Sequence, residues 1–362
     1  MKTISLKKYL VAGITLGGLL FQTSLRANTE VLIAGGNASS SVLFDRATNL
    51  FGGTFTSVYG ASSATTRTYV GTIPGYPGLG TVTLDIVLNG AVGGLKDIAT
   101  GFPETTAAGN TLVPTVVDSS TSPDVVGVNP LLFNAQPIYV VPYIFIKNAN
   151  SANTVTISNL TQRQAAELES AGATIPASFF GGTGTNVLYF VGRNSDSAVR
   201  TEIDLNIQAN GFQTYTTNSS GQPVQDTSSL DYEGNVDPGQ SSGSALVNVV
   251  KALTNSIGTI AVQNLKSGVT PLAYEGVPYS VTNVLNGSYP LWGYENYYTL
   301  TSLSDASQKQ VIALLVNSVT NAAFQSITTP VFTNYFIPHI QVSAQIQPRS
   351  DGGPIVPAGT YH

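Results

Sequence analysis

The chain has 362 residues, a formal net charge of −5, no cysteine and one methionine, at position 1. A chain this long can bury a sizeable core without disulfides, and the missing cysteines exclude thiolate metal sites, a cysteine nucleophile and a lipid-anchoring cysteine. The acidic balance, with only 10% charged residues, argues against nucleic acid and anionic membrane surfaces as partners, while a single small anion could still be held by local donors.

Lys2, Lys7 and Lys8 precede an apolar stretch from Tyr9 to Phe21, and Ala27 offers a small residue for cleavage. The stretch is short and glycine-interrupted for a membrane span, so residues 1–27 read as a signal peptide. Its removal takes the net charge from −5 to −9. The mature protein is then expected in the periplasm or secreted, without membrane insertion and as a monomer. Its length is about twice that of a typical domain, which suggests two lobes.

Residues 31–34 form a short apolar strand, followed by Gly35 and Gly36 and then a helix with Leu43, Ala47 and Leu50 on one face. Residues 81–88 alternate, with Val82, Leu84, Ile86 and Leu88 on one side, which predicts a half-buried strand. A Gly-rich loop, 90–94, follows. Residues 103–130 are turn-rich, with one strand near Val116. Residues 138–147 make a longer apolar strand that Pro142 interrupts, as expected for a crossover between lobes.

Residues 161–171 predict a surface helix and 186–192 a buried strand. The 193–197 loop leads into a helix with Val199, Ile203 and Ile207 in register. Residues 214–245 read as turns or a hairpin extension. Asp226, Asp231, Glu233 and Asp237 there do not match a calcium loop and read as solvated. A helix through Leu246, Val249, Val250 and Leu253 is expected to run to Ser256, Ile257 and Gly258, with a strand over 259–262. A late helix carries Ile312, Leu315, Val316 and Val319, and residues 340–346 look strand-like. Strands alternate with helices, which argues α/β.

Two loops stand out chemically. The Gly35 and Gly36 loop runs to Ser39 and Ser40, and the 193–197 loop carries Arg193 and Ser197. Each places free backbone N–H groups and hydroxyls at a helix N-terminus, a ready anion site. Arg193 adds a permanent charge and a planar fork suited to an oxyanion. Helix capping alone would also explain Ser39, Ser195 and Asp196, and Asp196 would repel an anion aimed at the same N–H groups. The 90–94 loop and the 239–244 loop are further candidates. Catalysis lacks a constellation: the histidines are His339 and His362, and no nucleophile elbow, zinc-binding helix or phosphate loop occurs. No enzyme activity, cofactor or metal is expected. Trp292, Tyr294, Tyr297 and Tyr298 read as core packing, with sugar stacking as the alternative.

The order of these pieces resembles the phosphate ABC transporter substrate-binding protein family, within the type 2 periplasmic binding protein fold. The family's opening strand, Gly-rich loop and helix look like residues 32–50. Its Gly-Ser-Ser-Gly-Gly loop looks like residues 90–94, its Arg-x-Asp-Gly-Ser-Gly-Thr loop like 193–199, and its later Gly-rich loop, helix and strand like 239–260. The resemblance implies an α/β, two-lobed clamshell with a mixed sheet in each lobe. Lobe one would hold residues 28–141 and 262–362, and lobe two residues 142–261. It implies ligand contacts from Ala38, Ser39 and Ser40, from Ala91, and from Arg193, Ser197, Ala198 and Val199. The family's Ser-Asp pair falls near Ser120 and Thr121, so Thr121 stands where a carboxylate should accept the ligand's proton. Asp118 or Asp124 could substitute. Ala91 likewise replaces a ligand-contacting serine.

The expected function is capture of a small oxyanion, phosphate-like, for import through an ABC permease. The alternatives are a binding fold that has lost phosphate and serves another ligand or an envelope partner, and a β-rich structural surface protein.

Overall fold

The computed structural model describes residues 28–61, 65–231 and 234–320, with three short strands at Ile337–Pro338, Ile346–Pro348 and Ile355–Pro357. The expected signal peptide, Glu233, His339, His362 and residues 340–345 of the strand-like run lie outside the described residues.

The chain opens with β1 (Thr29–Gly35), α1 (Ser40–Leu50), β2 (Ser57–Tyr59), β3 (Thr66–Gly71), β4 (Val82–Val87), α2 (Ala91–Thr100) and β5 (Val116–Ser119). A long strand, β6 (Phe133–Asn148), leads to α3 (Gln162–Ala171), β7 (Tyr189–Val191), α4 (Ala198–Ile207), α5 (Gly243–Ala252) and β8 (Ser256–Ala261). The chain continues through β9 (Val269–Pro271), β10 (Trp292–Leu300) and α6 (Ala306–Thr320). The strands hydrogen-bond in the order β7-β8-β6-β10-β5-β1-β4-β3-β2, and β9 and Ile337–Pro338 also pair with β6.

β6 belongs to both halves of this array. From Phe133 to Pro142 it pairs with β10, and from Tyr143 to Lys147 it pairs with β8. Pro142, which stands opposite Trp292, marks the handover. Proline has no N–H to give the ladder, so the strand changes partner where its own donor is missing. Each half is a mixed sheet. In the first, β1 runs parallel to β4 and β5, while β3 and β10 are antiparallel to their neighbours. In the second, β7 and β8 are parallel and β6 is antiparallel. The result is the expected two-lobed α/β architecture. The return crossing comes later than residue 262, because β9 pairs with the part of β6 beyond Pro142 and Tyr143 N donates to Leu291 O at 2.9 Å. The chain re-enters the first sheet at Trp292.

Close glycine contacts seat helices on the sheet. A Cβ on Gly94 of α2 would lie 3.1 Å from Val117 and 3.2 Å from Ala34. A Cβ on Gly258 of β8 would come within 2.7 Å of Leu246 on α5. Thr161 and Gln164 form a capping box on α3, and Ser242 Oγ accepts from Ala245 N at 3.1 Å to cap α5. Trp292, Tyr297 and Tyr298 are buried, so the aromatic run on β10 is core.

Four expectations are corrected. β4 is not half-buried: it lies between β1 and β3, and Leu84, Asp85, Ile86 and Val87 are all buried. Residues 91–94 are not a loop but the first turn of α2. α5 stops at Ala252, and residues 256–258 are already strand, because pairing with β7 and β6 overrides their place after a helical pattern. Asp226 and Asp237 are buried rather than solvated. Asp226 accepts from Ser229 N at 3.0 Å and Gly239 N at 3.1 Å, and Asp237 accepts from Ser195 N at 2.8 Å. The packed helices also remove the β-rich structural reading. Among the described residues, no helix is long and apolar enough to cross a membrane.

Candidate functional site

β1 ends at Gly35, where a Cβ would lie 2.4 Å from the Asp118 carbonyl oxygen, so only glycine allows β1 and β5 to finish this close together. The chain then turns through Asn37–Ser39 into α1. Beside it, Gly90 N donates to Gly35 O at 3.1 Å and opens α2. These two turns belong to the first sheet.

The facing loop comes from the second sheet. Arg193 follows β7, and Ser197 caps α4, its Oγ accepting from Arg200 N at 3.4 Å. The 239–242 loop holds Arg193 from behind: Nε donates to Gln240 O at 2.8 Å and Nη2 to Ser241 O at 3.0 Å. Gly239 is required there, since a Cβ would sit 2.5 Å from the Arg193 carbonyl carbon. All four loops singled out in the sequence therefore converge.

They enclose one small cavity with about 20 Å³ of free space, roughly what one ordered water occupies. Ala38, Ala91, Arg193, Ser197, Ala198 and Val199 line it. The N-termini of α2 and α4 both open here, and first-turn amides have no partner within their own helix. Ser39, Ser40 and Thr121 do not line the cavity. Ser39 is 1% exposed and donates its hydroxyl to Gly36 O at 3.0 Å, a turn-closing bond that draws it away from the opening. Ser40 is the first residue of α1. Thr121 is fully buried, its backbone N–H tied to Ser119 Oγ at 3.1 Å, and Ser120 lines the cavity in its place.

The residue that sequence reasoning missed is Glu295. It lies on β10, lines the cavity and is 1% exposed. The pairing of β10 with β6 shifts register between Glu295 and Asn296, where Ile138 of β6 is the extra residue. Asp118 on β5 is its neighbour and is fully buried. Burial pushes the Asp118 carboxyl up to about 6, with Glu295 and Ser39 as its polar neighbours. Burial pushes Glu295 further above the usual range, and the charges of Asp118 and of Glu202 on α4 add to the effect. Asp124, the other candidate acid, is exposed and hydrogen-bonded by Ser122, so it takes no part. One acid within the aromatic run 292–298 was the available signal for Glu295.

Arg193 is 5% exposed, and burial lowers its pKa to about 10, with Asp196 working against the shift. It remains charged at neutral pH. The ion pairs among the described residues are Arg46–Asp45 and Arg200–Asp204, so Arg193 has no ion pair there. A buried cation of this kind is costly unless an anion reaches it. The opposed loops already touch: Val92 N on α2 donates to Asp196 O at 3.1 Å.

No family model matches the sequence, and no curated protein matches it. Solved structures do. A protein from Clostridium perfringens, described as a phosphate ABC transporter substrate-binding protein and solved with bound phosphate, superposes with a TM-score of 0.57 at 15% identity, covering 86% of this chain and 99% of that one. An ABC-type phosphate transport receptor from Vibrio cholerae gives 0.54 at 13% identity, covering 86% and 100%. The chain has the type 2 periplasmic binding protein fold. At these identities the likeness speaks for the architecture: two lobes joined by crossing strands, with a cleft between them. In this type 2 periplasmic binding protein fold the cavity around Arg193 occupies the junction of the two sheets, where loops of both face one another.

Proposed function

We propose that this protein is an exported solute-binding protein that captures a small, phosphate-like oxyanion between its lobes and delivers it to an ABC permease. The carrying observation is the buried Arg193 guanidinium, which has no ion pair among the described residues and lines one cavity with the N-termini of α2 and α4. An oxyanion would form an ion pair with the guanidinium, which so far feels the charge of Asp196, and would accept from the first-turn amides. Hydrogen bonds to charged groups contribute about 1.5–3 kcal/mol each, so four or five support micromolar affinity after ordering costs. The phosphate bound to the Clostridium perfringens protein favours the same class of ligand. In this reading Glu295, rather than Thr121, supplies the carboxyl that exchanges a proton with the ligand. Burial keeps this carboxyl protonated well above the usual carboxylate range, so it would donate to an oxygen of phosphate or sulfate alike. The chain is a binder, without a catalytic role.

Calorimetry with phosphate and sulfate tests this reading. Arg193→Ala is expected to weaken phosphate binding roughly a hundredfold or more, with circular dichroism reporting an unchanged fold. A variant that binds phosphate as tightly as the parent removes Arg193 from the site. A parent chain that binds neither anion favours the other reading, a binding fold serving a different ligand or an envelope partner, which Ala91 and Thr121 motivate.

A further inference from the structure

Asn37 lines the cavity of Arg193 and also a second, larger chamber of about 370 Å³ at its mouth. The two are contiguous along the chain as well: Gly90 and Arg193 face the inner cavity, while their neighbours Asn89 and Asn194 face the outer chamber. A bare tetrahedral anion bound at Arg193 would leave the outer chamber unfilled. The outer volume falls in the range of small organic ligand sites, roughly 300–1,000 Å³.

The outer wall has a definite chemistry. Amides of Asn37, Asn89 and Asn194 and hydroxyls of Thr65, Ser241 and Ser242 provide both donors and acceptors. Asn194 is 2% exposed, and among the described residues its Oδ1 has no hydrogen-bond partner, nor has Oδ1 of Asn37. A buried polar atom left unpaired is costly, and a ligand hydroxyl would relieve it. Leu88 and Leu230 supply apolar contact, and among the described residues no aromatic ring lines the chamber. Among the described residues the one ionisable group there is Asp231, which would repel a second anionic group. Its two oxygens already accept from Asn235, at 2.7 Å from N and 3.1 Å from Nδ2, so it is poorly placed to hold a cation as well. The wall is built rather than incidental. Asp226 and Asp237 tie the loop carrying Leu230 to Gly239 N at 3.1 Å and Ser195 N at 2.8 Å.

We propose that the ligand is a phosphate monoester with an uncharged, hydroxyl-rich body, its phosphoryl group in the inner cavity and its body in the outer chamber. This rests on the anion-capture reading above and assigns Leu230 and Asp231 the role of bordering the body.

Calorimetry on the purified chain would compare inorganic phosphate, glycerol 3-phosphate, glucose 6-phosphate, O-phosphoethanolamine and free glucose. At least one of the two polyol esters is expected to bind about tenfold tighter than inorganic phosphate, and glucose not at all. Asn194→Ala removes a side chain that makes no hydrogen bond among the described residues, and should bring the ester-to-phosphate ratio to within about twofold. Inorganic phosphate binding as tightly as both polyol esters overturns the monoester proposal while leaving anion capture standing. O-phosphoethanolamine binding tightest overturns the uncharged body. Glucose binding as tightly as its phosphate, or no ligand binding at all, overturns both readings.

Discussion

The backbone N–H of Val92 donates to the carbonyl of Asp196 at 3.1 Å, joining the first turn of α2 in one lobe to the loop before α4 in the other. Gly90 lies beneath this bond, at a φ of 154°, and a Cβ there would come within 2.7 Å of Asp196 Cβ. Gly90→Ala therefore props the lobes apart. Phosphate affinity should fall about tenfold, and small-angle scattering of the variant with phosphate present should give a larger radius of gyration than the parent. A variant as compact as the parent would show that the contact does not limit closure.

The acids behind the cavity set a pH dependence. A carboxyl whose pKa is raised on folding stabilises the folded state in its protonated form. For Asp118 this contribution is complete below the unfolded value of 3.8 and is lost as pH rises through about 6. Glu295 is raised further and carries the same loss to higher pH. Thermal melts should therefore show a higher Tm at about pH 4.5 than at about pH 7.5, and Asp118→Asn together with Glu295→Gln should flatten the difference. A Tm that climbs steadily across that window would contradict the assignment.

Lys147 tests the second lobe independently of the ligand. Its Nζ donates to Thr154 O at 2.7 Å, Val155 O at 2.9 Å and Ile157 O at 2.6 Å. Lys147→Met keeps the stem and leaves three carbonyls without this donor. Urea denaturation should show a loss of about 3 kcal/mol or more. A loss under about 0.5 kcal/mol would mean that water replaces the ammonium readily.

Asp237 should govern the loop that carries Arg193. It accepts from both Ser195 N at 2.8 Å and Ser195 Oγ at 3.0 Å. Asp237→Ala is expected to speed hydrogen exchange across residues 193–197, with a stability loss of about 1–3 kcal/mol. Unchanged protection of those amides would show that the 239–242 loop alone holds them.

The strand, Arg193, Ser197 and α4 could be read from sequence because they lie within one short stretch, where an apolar run, a cap residue and a helical period follow in order. Glu295 could not be placed that way. Its position depends on β10 lying between β6 and β5, a pairing between distant segments that local pattern does not carry. The same limit explains β6, whose first residues, including exposed Asn134, Ala135 and Gln136, show no apolar alternation and are strand because β10 pairs with them. Ser39 misled for a related reason. Its type suits a ligand contact or a helix cap, yet its hydroxyl closes the turn on Gly36.

β10 is among the last strands made, yet it fills the middle of the first sheet, between β6 and β5. Until Leu300 leaves the ribosome, the edges of Val116–Ser119 and Phe133–Pro142 have no strand to join them, and the first lobe cannot finish folding. Completion of that lobe is thus deferred until the whole second lobe has been synthesised, which keeps a nascent chain loose for most of its translation.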